Sequence, residues 1–497
     1  MTRRKILLCV LACVLASAPA RAHVGSPNVF YDGAAGPYPL RVIVRPPIVV
    51  PGLAEITVRI ANGRKAERVT VQPVQWKAGL KGAPPPDVAV PVPGAPGVWS
   101  SQLWLMVTSS YSVRIQVEGP EGESVAQVPV AAAPSRVLRM QSGLGVVLAA
   151  LGLFLFAGAI TLVGAAARES TLAPGEAADD ARRRKARIVS IVAGLLLAFA
   201  LWGGRNWWNS VDATAQQRVF KPFTVHTAER LDGGRPVLEM KITDERSKDW
   251  TPLMPDHGKL MHLFLLREPG LVVFAHLHPI SDGKDVFRTA LPPLPAGSYR
   301  VYADVVHESG FPQTLVDTVT IAVPPAGTDA TVNDPPSDPD DSWRVVPPPS
   351  RSADVSPLED GSIMLWRREP LAVDQEATLR FEVRDPDGRP AALEPYMGML
   401  THAVISREDG KVFVHLHPMG SISMAAQQVF ARKEGEAEDM PSMTGMDPSS
   451  HGASGVVSFP YAFPQPGRYR IWVQVKRAGK VLTGVFDAVV GEGGPTT

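Results

Sequence analysis

A tetrapeptide that occurs twice constrains the fold of this chain more than any other feature. His276-Leu277-His278-Pro279 matches His415-Leu416-His417-Pro418, and a third histidine, His262 or His402, precedes each copy by about the length of one hairpin. Six of the eleven histidines therefore fall into two matching groups. The spacing indicates that the chain contains the same small structural unit twice.

The similarity extends well beyond the histidines. Residues 255–262 align without a gap with residues 395–402, and residues 295–301 resemble residues 465–471. Self-similarity on this scale is the signature of a duplicated domain. We place the first repeat at residues 216–325 and the second at residues 346–492.

Composition favours β-structure in both repeats and in the region before them. Forty-eight prolines and forty-three glycines interrupt short runs rich in valine, isoleucine and aromatic residues, as in all-β domains with many turns. We therefore predict a mainly β protein with three immunoglobulin-like β-sandwich domains, the first at residues 23–140, plus two transmembrane helices. Residues 326–345, rich in proline and aspartate, read as a linker, and residues 431–455 as a polar insertion in the second repeat.

The amino terminus has the form of a secretory signal peptide over residues 1–22. Basic residues precede an apolar run, and Ala20-Arg21-Ala22 provides a small-x-small cleavage site that would make His23 the first mature residue. Acylation of Cys13 in a lipoprotein is the alternative. Because Cys9 and Cys13 are the two cysteines of the chain, cleavage would leave neither disulfides nor thiolate metal ligands.

Two apolar segments predict a membrane anchor. Residues 143–167 and residues 188–204 are apolar enough to be spans of a bilayer core of about 30 Å, and Trp202, Trp207 and Trp208 follow the second. The strongly basic loop at residues 168–187 is expected to remain cytoplasmic, which places both flanking regions outside the cytoplasm of a bacterial inner membrane, in the periplasm. A buried helix of a soluble domain is the alternative for the second segment.

Hairpin geometry predicts how the histidines meet. Asp409-Gly410 is a strong two-residue turn signal, and this turn places His402 opposite His417 with His415 on the same face. In the first repeat a three-residue loop, residues 268–270, would place His262 opposite His276 with His278 beside it, whereas a two-residue loop would separate them onto opposite faces. The proline after each pair ends the strand, which predicts that the last histidine lies at an accessible rim of the domain, within reach of solvent and ions.

Three imidazoles on one sheet face could converge on a metal ion. We therefore predict two metal sites, His262, His276 and His278 in the first repeat and His402, His415 and His417 in the second. The competing interpretation is a layer of imidazoles that hydrogen-bond to the backbone and to each other. His226 and His307 have no counterparts in the second repeat and are expected to be structural.

The other candidate ligands favour copper over zinc. Position 257 is histidine where position 397 is methionine, and Met399 replaces Lys259, an exchange that copper tolerates and zinc rarely accepts. Further candidates lie in the polar insertion or at the mature amino terminus, where a histidine can chelate through its ring and its amine; they are Met440, Met443, Met446, His451 and His23. A disordered polar loop with incidental methionines is the alternative for the insertion.

The duplicated motif resembles bacterial exported proteins of unassigned function whose modules carry Gly-x-x-x-His, a hairpin and His-Leu-His-Pro. The start at His23 resembles that of small periplasmic copper-resistance proteins. More loosely, the whole chain is similar to membrane-anchored β-sandwich modules of the YtkA and FixH type. These resemblances imply an anchored protein of copper homeostasis or cuproenzyme assembly, with a cuproprotein or an oxidase-assembly client as partner.

Other functional classes find less support in the sequence. His-x-His followed by proline is reminiscent of cupin enzymes, but the glutamate that cupins place shortly after the pair is missing from both copies. The chain carries no recognisable nucleophile constellation or phosphate loop, so we expect no enzyme. A net charge of +1 gives no electrostatic case for nucleic acid. A sandwich array that binds a partner and no metal, with histidines for packing or pH sensing, stays open.

Overall fold

The structure is a computed structural model that describes residues 28–134, 140–173, 175–218, 223–243, 252–281, 285–322, 338–346, 354–434 and 454–492. Over these ranges the strands form six antiparallel sheets, which pair into three β-sandwiches. The predicted fold class is confirmed. His23, Met440, Met443, Met446 and His451, like the predicted signal peptide, lie outside the described residues.

The amino-terminal sandwich consists of two sheets, with strand orders β1-β2-β3-β7-β6 and β5-β4-β8-β9. In β3 every second side chain is buried, as expected for a strand with one face on the core. The strands are β1 (Val29–Ala35), β2 (Tyr38–Arg45), β3 (Gly52–Ile60), β4 (Arg68–Gln75), β5 (Asp87–Val88), β6 (Val90–Pro91), β7 (Val98–Leu105), β8 (Ser109–Gly119) and β9 (Gly122–Ala132), with a 3-10 turn at Leu80–Gly82.

Two helices follow, α1 (Ser142–Glu169) and α2 (Asp180–Arg218). Ser142–Glu169 and Asp180–Thr214 are long and apolar enough to cross a membrane, with mean hydropathies of 2.6 and 2.0 over their most apolar windows. Both helices extend beyond the predicted spans. The basic residues 182–187 are therefore helical and not part of an irregular loop, and Gly203 and Gly204 do not end α2.

The first repeat is a sandwich of two sheets, β10-β11-β16-β15 and β12-β17-β13-β14-β19, with β18 on the other edge of β17. Its strands are β10 (Thr224–Asp232), β11 (Arg235–Thr243), β12 (Leu253–Met254), β13 (His262–Glu268), β14 (Val273–Leu277), β15 (Ile280–Ser281), β16 (Val286–Ala290), β17 (Gly297–His307), β18 (Pro312–Ile321) and β19 (Ser342–Val345). Because β19 pairs with β14, the end of the predicted linker belongs to this sheet.

The second repeat has sheets β20-β21-β22-β25 and β24-β23-β26-β27. Helix α3 ends within the first residues of the predicted polar insertion. The elements are β20 (Val355–Pro357), β21 (Ile363–Arg367), β22 (Glu376–Arg384), β23 (Thr401–Arg407), β24 (Phe413–Leu416), α3 (Met424–Glu434), β25 (Val456–Ala462), β26 (Gly467–Arg477) and β27 (Lys480–Val490).

The two repeats pack through a layer of buried aromatic side chains. Phe274 of the first repeat stacks on Trp472 of the second with ring centroids 5.2 Å apart, and Phe413 of the second stacks on Tyr302 of the first at 3.9 Å. Phe274 and Phe413 are equivalent positions, as are Tyr302 and Trp472. The repeats are therefore related by an approximate two-fold axis at this interface.

Over the described residues the three sandwiches form one compact unit, and the two helices belong to a second. Within the first unit, the segment after β24 contacts the amino-terminal sandwich: Gly420 pairs with Tyr31, and Ile422 is buried in that sandwich's core. An ion pair of 2.7 Å joins Arg41 to Glu376. The second repeat is thus attached to the amino-terminal domain directly behind its histidine hairpin.

Candidate metal centre

Seven imidazole rings form one continuous cluster between the two repeats. Neighbouring rings have centroids 4.6 to 6.2 Å apart, and the members are His257, His262, His276, His278, His402, His415 and His417. The sequence predicted six of them as two separate groups. Because the hairpins face each other across the two-fold axis, the two groups are in contact.

The second hairpin has the predicted register. Ala403 pairs with Leu416 and Val404 with His415, which places His402 opposite His417. In the first hairpin Leu263 pairs with Leu277, so His262 lies opposite His278 and not opposite His276 as predicted. The first loop is centred on Gly270 and not on Pro269, with Gly270 and Leu271 at positive φ, and this shifts the pairing by two while keeping all three histidines on one face.

The predicted accessible rim is wrong, because both terminal histidines are buried. His278 and His417 are each 3% exposed. Residues 338–341 cover the first, and the segment that joins β24 to α3 covers the second: His278 Nδ1 lies 2.9 Å from Asp341 Oδ1, and His417 Nδ1 lies 2.9 Å from the carbonyl oxygen of Ile422. These contacts therefore enclose the cluster at both of its terminal histidines.

His257 enters the cluster from a tight turn. Asp256 and Lys259 pair across it, and His257 and Gly258 have φ of 53° and 81°, as in a type I′ turn. A non-glycine residue at positive φ is uncommon. The His257 side chain is completely buried, and its ring lies 4.8 Å from that of His417 in the other repeat.

Two histidine triads have geometry suited to a metal ion. His262, His276 and His278 form the first as predicted, with one ligand atom of each within 4.8 Å of the others. The second consists of His257, His402 and His417, so it draws one member from the first repeat. His415, predicted as a ligand of that site, lies between the triads, with its ring 5.3 Å from His262 and 5.5 Å from His402.

Seven buried ring nitrogens in the cluster have no hydrogen-bond partner. They are both nitrogens of His257, both nitrogens of His402, and Nε2 of His278, His415 and His417. Buried polar groups in folded proteins are nearly always paired. A layer of mutually satisfied imidazoles, the competing interpretation, does not describe these five rings.

Acceptors fix the tautomers of the surrounding rings. The Ile422 carbonyl can only accept, so His417 donates from Nδ1 and keeps a lone pair on Nε2. His278 and His276 likewise place Nδ1 near acceptors, Asp341 Oδ1 and Gln474 Oε1, the latter at 2.8 Å. Metal-ligating histidines typically donate their second ring nitrogen to such an acceptor.

One contact in the first triad has the spacing of two nitrogens that share an ion. His262 Nε2 lies 3.2 Å from the Asp256 carbonyl oxygen and so carries the proton, which leaves a lone pair on Nδ1. That Nδ1 lies 3.1 Å from His276 Nε2, which carries a lone pair in the tautomer that donates from Nδ1 to Gln474 Oε1. The Tyr396 hydroxyl, 3.3 Å from the same Nδ1 of His276, can donate to the other tautomer. Two nitrogens each about 2.0–2.1 Å from one ion and at right angles to each other would be roughly 3 Å apart.

Burial keeps these imidazoles neutral. Loss of hydration lowers the pKa of His262, His276, His402 and His415 well below the ordinary 6.5, and neighbouring histidines lower it further. The same burial lowers the pKa of His417 to about 3. Neutral imidazole is the form that binds metals, so proton competition at neutral pH is small.

Carboxylates that the sequence did not predict as part of the site lie at its edge. His278 groups with Asp338 and Asp341 within 4.8 Å, and Lys259 Nζ lies 2.6 Å from Asp338. These aspartates were assigned to the linker on composition. The other missed residues, Asp304 and Gln474, occupy equivalent positions on β17 and β26, opposite His262 and His402, and the repeat alignment could have identified them.

The remaining candidates divide into buried and outlying positions. Met397 and Met399 are 9% and 7% exposed, in the turn equivalent to that of His257. His307 is buried with Nε2 3.3 Å from Gln313 Oε1, and His226 is exposed on β10. Neither belongs to the cluster, and the structural role expected for both stays a prediction.

Comparisons with known proteins match the repeats and leave their role open. Residues 220–323 and 357–492 match a family described as a domain of unknown function (DUF8832), which supports the duplicated module. No curated protein matches.

Structural neighbours are generic β-domain proteins. α-2-Macroglobulin of E. coli covers 94% of this chain at 8% identity with a TM-score of 0.20, and the match spans 23% of that chain. The FN1–FN3 domains of chicken CNTN1 cover 90% of this chain and 97% of their own at 8% identity and a TM-score of 0.15. PorU of Porphyromonas gingivalis covers 94% and 34% at 8% identity and a TM-score of 0.15.

Proposed function

We propose that this protein is a membrane-anchored extracytoplasmic protein that binds copper ions in the histidine cluster, without catalysis. The observation that carries the proposal is the set of seven buried ring nitrogens that lack a hydrogen-bond partner. An unsatisfied buried polar group costs about 1–3 kcal/mol of folding stability. These rings therefore destabilise the fold unless a bound ion or molecule occupies the space between them. A metal ion can be coordinated by several neutral imidazoles at once.

Copper is the metal that best fits the ligand types. Imidazole suits Cu(I) and Cu(II), and thioether suits Cu(I). The buried candidates comprise seven histidines together with Met397 and Met399. Zinc could occupy a triad of histidines, but it rarely takes methionine.

The proposed topology places the sandwiches in the bacterial periplasm and the basic start of α2 in the cytoplasm. Segments on both sides of the helical pair pack into one unit, as required if two spans return the chain to the same side of the membrane. The basic residues 182–187 favour the cytoplasmic side. A role in copper homeostasis or cuproenzyme assembly, with a cuproprotein or oxidase-assembly client, follows from the resemblance to YtkA- and FixH-type modules and remains a prediction.

Metal titration of the purified full-length protein tests the proposal. The metal-free protein would be titrated with Cu(I), Cu(II) and Zn(II) against a competing chelator, beside the variants His262→Ala/His402→Ala and His226→Ala. The double variant removes one histidine from each triad, and His226 is an exposed histidine outside the cluster. We expect copper uptake by the native protein and by His226→Ala that the double variant loses. Absence of uptake by the native protein would overturn the proposal and favour a partner-binding sandwich array.

A further inference from the structure

The turns that precede β13 and β23 have the same backbone and different side chains. Asp256 pairs with Lys259 as Tyr396 pairs with Met399. His257 has φ of 53° and Met397 has φ of 49°, each followed by a glycine at positive φ. Met397 therefore occupies in the second repeat the place that His257 occupies in the first.

His257 belongs to the triad of the opposite repeat. Its ring centroid is 5.3 Å from His402 and 4.8 Å from His417, but 6.2 Å from His262 of its own repeat. The turn thus contributes its side chain across the interface between the repeats.

The cluster itself follows the two-fold relation closely. The distance from His262 to His276 is 5.4 Å, and the equivalent distance from His402 to His415 is 5.5 Å. Both His-x-His pairs have ring centroids 4.6 Å apart, and each first histidine lies 5.2 Å from the last histidine of its own hairpin. Applied to the turn, the same operation would bring Met397 beside His262 and His278.

We propose that Met397 supplies a thioether to the first triad, so that the two metal positions differ in ligand class. This inference rests on the proposed metal-binding function. The first position has three imidazoles and one thioether, and the second has three imidazoles. Thioether favours Cu(I), whereas imidazole alone suits Cu(I), Cu(II) and Zn(II) and selects less between them. The duplicated unit would then hold one position for Cu(I) and one that is less selective.

X-ray absorption of the full-length protein loaded anaerobically with one equivalent of Cu(I) tests the ligand. We expect a sulfur neighbour in the native protein and in Met240→Leu, a control in the core of the first repeat. Met397→Leu should lose the sulfur neighbour and bind Cu(I) at least about tenfold more weakly. Even removal of a group that only hydrogen-bonds to a metal ligand typically lowers metal affinity by about that factor. Met397→His should shift this position toward Cu(II) and Zn(II), and His257→Met should give the second position a sulfur neighbour.

The outcomes separate this inference from the proposed function. Copper bound without sulfur, or sulfur lost in Met399→Leu and retained in Met397→Leu, overturns the inference and leaves copper binding intact. If the native protein binds no copper, the inference falls together with the proposed function. Loss of sulfur in Met397→Leu with copper still bound at the second position supports the inference.

Discussion

Nδ1 of His415, in the second repeat, lies 3.6 Å from a carboxylate oxygen of Asp304, in the first. The equivalent pair across the two-fold axis is His276 and Gln474, at 2.8 Å. Each repeat therefore orients the central histidine of the other from the strand behind its own hairpin. Only one of the two orienting groups is a carboxylate, which makes the surroundings of the two central imidazoles electrostatically unequal.

Asp304→Asn should weaken metal binding with little change in the fold. The amide keeps the shape of the side chain but removes the carboxyl group, which is partly ionised at neutral pH because burial raises the pKa of Asp304 to about 7. The loss of such a partner typically costs about 10- to 100-fold in affinity. Chelator competition with copper measures the effect. Asp317→Asn is the control, because Asp317 accepts a hydrogen bond from the Thr227 amide away from the histidines. Equal affinities for the two variants would contradict the positioning role.

His257→Asn should remove the second metal position and leave the first. Asparagine tolerates positive φ, so the turn can keep its backbone. The substitution exchanges two buried ring nitrogens that have no partner for one equally polar amide, so the stability of the metal-free protein should change little. Metal stoichiometry and thermal unfolding test both expectations. Full stoichiometry in this variant would show that the second triad does not need the first repeat.

The metal-free protein should lose stability as the pH falls below about 6.5. The folded state holds the pKa of His417 at about 3 and that of four neighbours well below 6.5, while the unfolded chain has ordinary values. The unfolded state then binds more protons, so the free energy of unfolding falls by about 1.4 kcal/mol per pH unit for each such histidine. Thermal unfolding between pH 8 and 5 measures this. A melting temperature that stays constant through this range would contradict the expectation, and His417→Gln should reduce the slope.

Gly420→Ala should loosen the contact between the second repeat and the amino-terminal sandwich. Gly420 has φ of 114°, and an added Cβ would lie 2.1 Å from the Phe30 carbonyl oxygen. The Ile422 carbonyl that orients His417 lies two residues further along, so copper affinity should fall together with stability. Gly233→Ala is the control, because Gly233 also has positive φ, at 57°, and no atom within 4 Å of its added Cβ. A change no larger than that of the control would argue against the contact.

Cysteine labelling should test the proposed topology cleanly. Cys9 and Cys13 are the cysteines of the chain, and both lie in the predicted leader. In spheroplasts, a membrane-impermeant maleimide should label Glu55→Cys, and it should label Thr171→Cys only after lysis. Labelling of Thr171→Cys in intact spheroplasts would reverse the assigned orientation.

Local sequence signals predicted the elements of the fold well. Asp409-Gly410 specifies a short turn, and the register of the second hairpin followed from it. The first connection contains Pro269 and Gly270, which signal a turn without fixing its centre, and there the predicted register was two residues off.

The composition of the site depends on contacts that a single chain segment does not encode. His257 joins His402 and His417 because two sandwiches pack through their aromatic faces, and sequence periodicity describes one sandwich at a time. Asp341 was not predicted as part of the site for a related reason. Its segment has the composition of a linker, but the pairing of β19 with β14 holds that segment on the first hairpin.

The crossing of His257 also bears on the history of the duplication. A single copy of this module, folded alone, would lack the third member of one triad and would present its hairpin histidines on an exposed face. Two copies facing each other are the smallest arrangement in which the turn of one completes the group of the other. A triad of the second kind is therefore complete only where two modules meet, and within one chain each turn can change independently, as position 397 and position 257 differ here.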